Sequence, residues 1–586
     1  MSIDFATLMG LEIPEGIVSK IEDASGRVLW MVAPNKPIIL EVEKVIVSTS
    51  SGGTTYENEE FFALDIYPKK YGTVSVTYGG LTKTITDETG ADSPNAQQVF
   101  FGTLYGVADS VATPSSGEVV IEGDCVAFAV SSVTKYNKII NSGTSGANIL
   151  AVKDFGSVSV LQTRTFAYTQ DSPNTTIEEM TVPSTVRTIM GGAFNFMDGL
   201  KTLRILPGVR YLYGGAGFDL NNLTSLTLPG SLEYCGCKKN IFNSGAVIDM
   251  VDPDSPFYGC PSLANIIIDG VGNLYFDGHV LLDTNTGGLR ASAPASLSGH
   301  YTIPDGVRSI DGHAFAGCSS LTGVTIPSGV NRIRNYAFQN CSGITNIVIP
   351  NNVIYVGVGL FQNCTGMTHA VLPDSITSVP GNCFEQCENL TDVVISENTD
   401  TIAGSAFRGC TNLQLTSLPS SLNTIGNYAF ESCTNLQLTS IPSGVTAIGS
   451  YAFESCHGLK FGDNFLNEGL VTIGEYAFDM STGDLQAHAL ESITIPSTVT
   501  EIGAYAFRGP VYDSTIPTYF CIFKRIVMKP KIPPTLNINS IHAQNPASVF
   551  GAITSSMKII VPKGCLDAYK TANIWSVWGD RFEEES

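Results

Sequence analysis

Glu385, Glu431, Glu454 and Asp479 each directly follow a recurring phenylalanine, and Glu431 and Glu454 stand 23 residues apart. If one period of the chain equals one layer of structure, those two carboxylates lie near the ~5 Å separation at which a retaining glycosidase holds its nucleophile and its acid. Any outward polar column of a layered repeat has the same spacing, without a cleft or a pocket that raises a pKa. A solvated face is therefore the expectation, and no residue is assigned a catalytic role. A second column is aromatic: Tyr336, Tyr428, Tyr451, Tyr476 and Tyr505 stand two residues before the same phenylalanines. Facing outward, such rings could stack on sugars or enter a protein interface, because tyrosine offers a rigid apolar area with a polar tip. Stacked on each other, they would only stabilise the ladder. These five tyrosines are the candidate ligand-binding residues.

Metal and cofactor chemistry finds little support. Cys235-Gly-Cys237 and Cys383-x3-Cys387 have no second pair at zinc-finger spacing. "DTNTGG", from Asp283, begins like a calcium loop, but Pro294 stands where the bidentate glutamate belongs. The seven histidines show no ligand spacing and read as surface or turn residues. There is no GxSxG elbow, P-loop or HExxH motif. The expectation is no metal, no cofactor and no enzyme.

The elements that position these columns follow from their period. "CTNLQLTS" occurs at 410–417 and again at 433–440. Phe315, Phe338, Phe361, Phe384, Phe407, Phe430 and Phe453 follow at intervals of 23, and Phe478 and Phe507 after 25 and 29. Looser copies around Phe194, Phe218 and Phe257 precede them. Five residues before each phenylalanine of the regular copies stands Ile or Val, the β-branched choice for a strand facing a core. Eleven before it, proline recurs and ends a short strand, since it cannot donate to a ladder. Two short strands and turns per coil cannot bury their own apolar residues, but stacked coils share one core. Eight cysteines, Cys260 and Cys318 to Cys456, stand three residues after the phenylalanine and are expected as an internal file of small hydrophobes.

At these residues the chain resembles the BspA-type leucine-rich repeat family, whose pattern "IPxxVxxIGxYAFxxCxxL" runs through about residues 160 to 530. "LYFDGHVLLDTNTGGLRASAPASLSGHYTIPDGVRSI" resembles the hairpin insertion found between coils of such arrays, and "KIIVPKGCLDAYKTANIWSVW" resembles the family's closing strand and short helix. The resemblance implies a mostly β chain built on a right-handed leucine-rich-repeat solenoid of about 12 coils.

Upstream, alternating runs between Gly, Pro, Ser and Asp clusters predict a small all-β, immunoglobulin-like sandwich. The expected division is an attachment segment or hairpin at 1–37, the sandwich at 38–140, a linker at 141–150, the solenoid at 151–535 and a capping repeat with a short helix at 536–586. "SKIEDASGRVLWM" and "TYGGLTKTITDETG" resemble segments of tail-associated proteins of gut bacteriophages. The first residues show no basic n-region before an apolar run, so no secretory leader is expected.

A net charge of −22 on 586 residues disfavours nucleic acid and anionic membrane surfaces as partners. The function these readings imply is non-enzymatic recognition: a bacteriophage tail or baseplate component, located on the virion, whose solenoid binds a bacterial surface protein or glycan. Its N-terminal region would join other tail proteins, and a homo-oligomer is allowed. The alternatives are a bacterial cell-surface adhesin and a surface-glycan hydrolase.

Overall fold

The computed structural model describes the strands of residues 20–154 and most of the chain from 155 onward, the longer stretches left out being 162–164, 167–174, 238–254, 482–489, 538–548 and 551–556. It is mostly β. Among the described residues, helix is confined to Leu566–Thr571 and short 3-10 turns at Pro294–Ser296 and Trp575–Arg581.

The 23-residue period becomes a parallel register. Ser309 pairs with Arg332 and Arg332 with Tyr355, while Ile310 pairs with Ile333 and Ile333 with Val356. The β-branched column is buried throughout. A second ladder runs through Asn346–Val348, His369–Val371 and Asp392–Val394. The expectation of two strands per coil fails after that: residues 413–419 and 436–441 carry no second strand.

Between Ser309 and Asn537 the first ladder is divided once, and the sequence explains where. The residue after the β-branched position donates its N–H one coil back, as Arg334 does to Ile310, Gly357 to Ile333 and Ala403 to Val379. Pro380 occupies that position in the intervening coil and has no N–H to give. The ladder divides there, one sheet ending at Tyr355–Val356 and the next beginning at Ser378–Val379.

Inside the coils the phenylalanines form one file. Ring centroids from Phe315 to Phe507 are separated by 5.1–5.7 Å. Phe550 adds a further layer at 5.8 Å and leads to Trp575 and Trp578. Upstream, strand pairing corrects the reading of one loose copy. Gly217, not Phe218, is in register with Phe257, so Phe194 and Phe257 stack across the glycine at 6.3 Å. A Cβ on Gly217 would come within 2.9 Å of the Phe257 ring.

The expected hairpin insertion is Leu274–Phe276, Val280–Asp283 and Gly288–Ser292, an antiparallel meander whose last strand joins the coil strand Ser309–Ile310 in parallel. Buried Arg290 fastens it, bonding Asp283 of the insertion and Asp311 of the coil at 2.6 Å each. Asp283 therefore serves an ion pair in an ordinary turn.

At the far end, Lys558–Val561 pairs with Phe582–Glu584 around the short helix. Tyr569 and Trp575 bond the carbonyls of Pro530 and Pro534 at 2.8 and 2.7 Å. At the near end, Lys20–Glu22 pairs with Val28–Met31. Two further sheets follow, one ordered Asn148–Asp154, Ile38–Glu43, Ser116–Gly123, Thr73–Tyr78, Leu81–Thr86, the other built around Thr54–Pro68. Residues 1–19 and 141–147, part of the expected attachment segment and linker, lie outside the described residues. Val74, Val76, Tyr78, Val119 and Ile121 share one apolar cluster with Phe155, Leu161 and the first coils.

Candidate binding surface of the repeat array

The tyrosine column occupies a sharp corner. Tyr336, Tyr428, Tyr451, Tyr476 and Tyr505 all have φ between 56° and 60°, the left-handed region that costs a side-chain-bearing residue energy. Each coil turns at this position, and other coils place His313, Gly359, Asn382 and Ser405 there, also with positive φ. The corner is held by bonds between coils: the N–H groups of Tyr428, Tyr451 and Tyr476 donate to the carbonyls of Ser450, Glu475 and Ala504 at 2.8–2.9 Å.

Four rings form one stack. Centroid distances are 4.8 Å from Tyr428 to Tyr451, 4.5 Å to Tyr476 and 4.8 Å to Tyr505. Tyr428, 38% exposed, ends the row, whereas Tyr476 is only 8% exposed. Burial, with Glu475 and Tyr428 adding, pushes the Tyr451 phenol up to about 12. Tyr336 belongs to a different group, stacking at 5.0 Å on His313, which stacks in turn on Tyr258 at 4.1 Å. That places His313 in an aromatic stack rather than a bare turn. Gly359 next to it is obligatory, since a Cβ would sit 2.2 Å from the Tyr336 ring.

The acidic column is not the solvated row expected. Asp479 is fully buried and Glu385 is 9% exposed. The column also holds residues of other types. Gln339 bonds Gln362, and Gln362 bonds Glu385, each at 2.6 Å. Arg408 bridges Glu385 at 3.3 Å and Glu431 at 2.6 Å, and Arg508 binds Asp479 through Nε at 3.1 Å and a terminal nitrogen at 2.5 Å. Both guanidiniums also lie over tyrosine rings: Arg408 at 5.9 Å from Tyr428, Arg508 at 5.1 and 4.9 Å from Tyr476 and Tyr505. Glu454 stands between Glu431 and Asp479 and forms no ion pair among the described residues. Burial, then the charges of Asp479 and Glu431, raise its carboxyl to about 7, against the opposing pull of Arg508 and Arg408.

The cysteine file is internal as expected, with a function the spacing alone did not reveal. The thiols of Cys341, Cys364, Cys387, Cys410, Cys433 and Cys456 each donate to the phenylalanine carbonyl one coil back, at 2.9–3.1 Å. Those carbonyls already accept the turn N–H of their own coil's cysteine. A thiol is small enough for the core and still supplies a donor. The thiols of this file are free, and burial raises the pKa of Cys364, for example, to about 12. No grouping of three His, Cys, Asp or Glu side chains suited to a metal occurs among the described residues.

Beside the tyrosine corner lies an open groove of about 620 Å³, on the first-ladder face of the last coils between Asn427 and Asn537. Its floor is set by close coil contact: a Cβ on Gly449, Gly474 or Gly503 would come 2.4–2.5 Å from the preceding coil's backbone. The glycine recurring after the isoleucine in these coils therefore marks bare backbone.

Comparison with known proteins identifies the repeat. The model for the BspA type leucine rich repeat region matches in six copies, over residues 172–270, 296–414 and 377–512, together more than half of the chain. Among solved structures, the chain is similar to a leucine-rich repeat protein from Eubacterium ventriosum, with 25% identity over 49% of this chain and 78% of that one and a TM-score of 0.39. A leucine rich cell surface protein from Faecalibacterium prausnitzii shows 21% identity over 50% and 60% of the two chains, TM-score 0.30. A leucine-rich repeat protein from Bacteroides ovatus shows 18% identity over 61% and 92%, TM-score 0.30. No curated protein matches the sequence. With its repeats matched over that length, the chain belongs to the BspA-type leucine-rich repeat family.

Proposed function

We propose that this chain is a non-enzymatic recognition protein whose coils form one right-handed solenoid that contacts a bacterial surface. The N-terminal sheets, packed as a sandwich, attach it to a phage tail. The observation that carries the recognition reading is the surface of the last coils, where a stacked row of tyrosines ending in exposed Tyr428 runs beside an open polar groove. Rigid aromatic area next to polar groups is what recognition surfaces offer. The virion assignment rests on the likeness of the N-terminal segments to phage tail-associated proteins.

A bacterial surface adhesin of the same family is the second reading, favoured by the repeat pattern itself. The hydrolase reading has one observation on its side, the raised carboxyl of Glu454 beside Glu431. Against it, Arg408 neutralises Glu431, and Glu454 does not line the groove between Asn427 and Asn537.

Two measurements test the proposal. Labelled full-length protein should bind intact cells of a susceptible gut bacterium and release no reducing sugar; absence of cell binding would overturn the recognition reading. Mass spectrometry of purified virions should detect the chain. Its presence only in bacterial envelope fractions would replace the tail role by the adhesin.

A further inference from the structure

We propose that the groove at Asn427–Asn537 binds an uncharged glycan chain laid across successive coils. This deepens the recognition reading and rests on it, extending the contact from the tyrosine rings to the adjacent face.

The lining selects the ligand class. Asn427, Ser450, Thr472, Glu475, Glu501 and Asn537 supply hydrogen-bonding groups, and among the described residues no Lys, Arg or His lines the groove. An anionic polymer would meet two carboxylates and no cation, which argues against nucleic acid and acidic polysaccharide. A peptide is recognised through a free strand edge or through apolar pockets for its side chains. The groove offers neither. Its strands, at 424–425, 447–448, 472–473 and 501–503, are each paired on both sides in a seven-stranded sheet. Its apolar members Ile448 and Ile473 are buried beneath it.

Backbone groups point the same way. Asn427 Oδ1 accepts the N–H of Ser450 at 2.8 Å, yet the equivalent N–H groups of Glu475 and Ala504, both on the groove, find no acceptor among the described residues. Hydroxyl or amide oxygens of a sugar chain would satisfy these donors, and its hydroxyls would donate to Glu475 and Glu501. The groups recur once per coil, at the ~4.8 Å repeat of paired strands, so a polymer of sugar rings can repeat its contacts along the stack.

Affinity electrophoresis of the full chain through gels containing dextran, mannan, xylan or hydroxyethylcellulose, with polygalacturonate as the anionic comparison, tests this. The expected result is retardation by at least one neutral polymer and none by polygalacturonate. Filling the groove with Ser450→Trp and Thr472→Trp should weaken that retardation about tenfold or more, with the melting temperature recorded to show that the variant folds. Glu475→Gln keeps the acceptor and removes the charge, so retardation should stay within about twofold. If the tryptophan variant does not fold, Glu501→Lys gives the same reading, losing neutral-polymer retardation. Three results would overturn the inference: no retardation by any neutral polymer, retardation unchanged in the folded groove-filled variant, or its loss on Glu475→Gln, which would mean that the carboxylate charge rather than the hydrogen-bonding lining carries the contact. In each case continued binding to cells would leave the recognition reading standing, whereas loss of cell binding by the wild-type chain would remove both.

Discussion

The phenylalanine file and the column one residue after it run side by side through the same coils with the same spacing, and they solve stacking differently. The phenylalanine file repeats one residue type from Phe315 to Phe507, because rings 5.1–5.7 Å apart attract each other and shed water together. The neighbouring column reads Gln339, Gln362, Glu385, Arg408, Glu431, Glu454, Asp479, Arg508. Like charges at one-coil spacing repel, so a guanidinium intervenes before Glu431 and after Asp479. A repeat can copy an apolar residue indefinitely. It cannot copy a half-buried charge more than two or three times without a counter-ion or a bound proton.

The largest effect should come from the apolar file. Phe430→Ala removes a fully buried ring stacked at 5.2 and 5.3 Å on Phe407 and Phe453. Chemical unfolding should show a loss of ~3–5 kcal/mol, shared by neighbouring coils. Arg508→Met comes next, since it strands the fully buried carboxylate of Asp479. A loss of about 3 kcal/mol is expected, and a change within error of zero would mean that the pair with Arg508 does not hold this end of the column. Cys433→Val keeps apolar volume but loses the thiol bond to Phe407, which should cost about 1 kcal/mol; an unchanged stability would reduce the cysteine file to packing alone.

The pH-dependent effect is the most specific. Glu454 binds its proton more tightly in the folded chain, at about 7, than at the ordinary 4.5 of the unfolded one. Between those values the folded state holds the extra proton, so this group makes stability fall as pH rises from about 4.5 to 7, with no contribution to the slope outside that window. Glu431, Asp479, Arg408 and Arg508 supply the field it feels. Glu454→Gln should flatten that part of the profile and melt higher than wild type at pH 8. Parallel melting profiles for the two proteins would show that Glu454 is solvated after all.

The period made the interior legible. The phenylalanine, β-branched and cysteine columns could be read because apolar burial imposes the same residue type on every coil, and the hairpin insertion and closing helix followed from their own motifs. Gly217 escaped, because a coil that omits its ring lets Phe194 and Phe257 meet across it, and the adjacent Phe218 mimics the pattern. Phe550 escaped because 43 residues separate it from Phe507. The burial of the acidic column escaped for a different reason. Polarity alone suggested solvent, yet Arg408 and Arg508 at the same column position were the available signal that these carboxylates are paired. Of the candidate tyrosines, spacing brought four into one stack, but it could not tell that Tyr336 leans on His313 and Gly359 instead. The groove had no signature beyond the glycine after each isoleucine.

The most direct test of recognition through the last coils is cell binding by the full chain carrying Tyr428→Ser and Tyr451→Ser. These two rings form the more open end of the stack. At about 1 kcal/mol per ring, binding should fall roughly tenfold or more while the chain still melts cooperatively. Undiminished binding by a folded double variant would contradict the placement of the contact surface there.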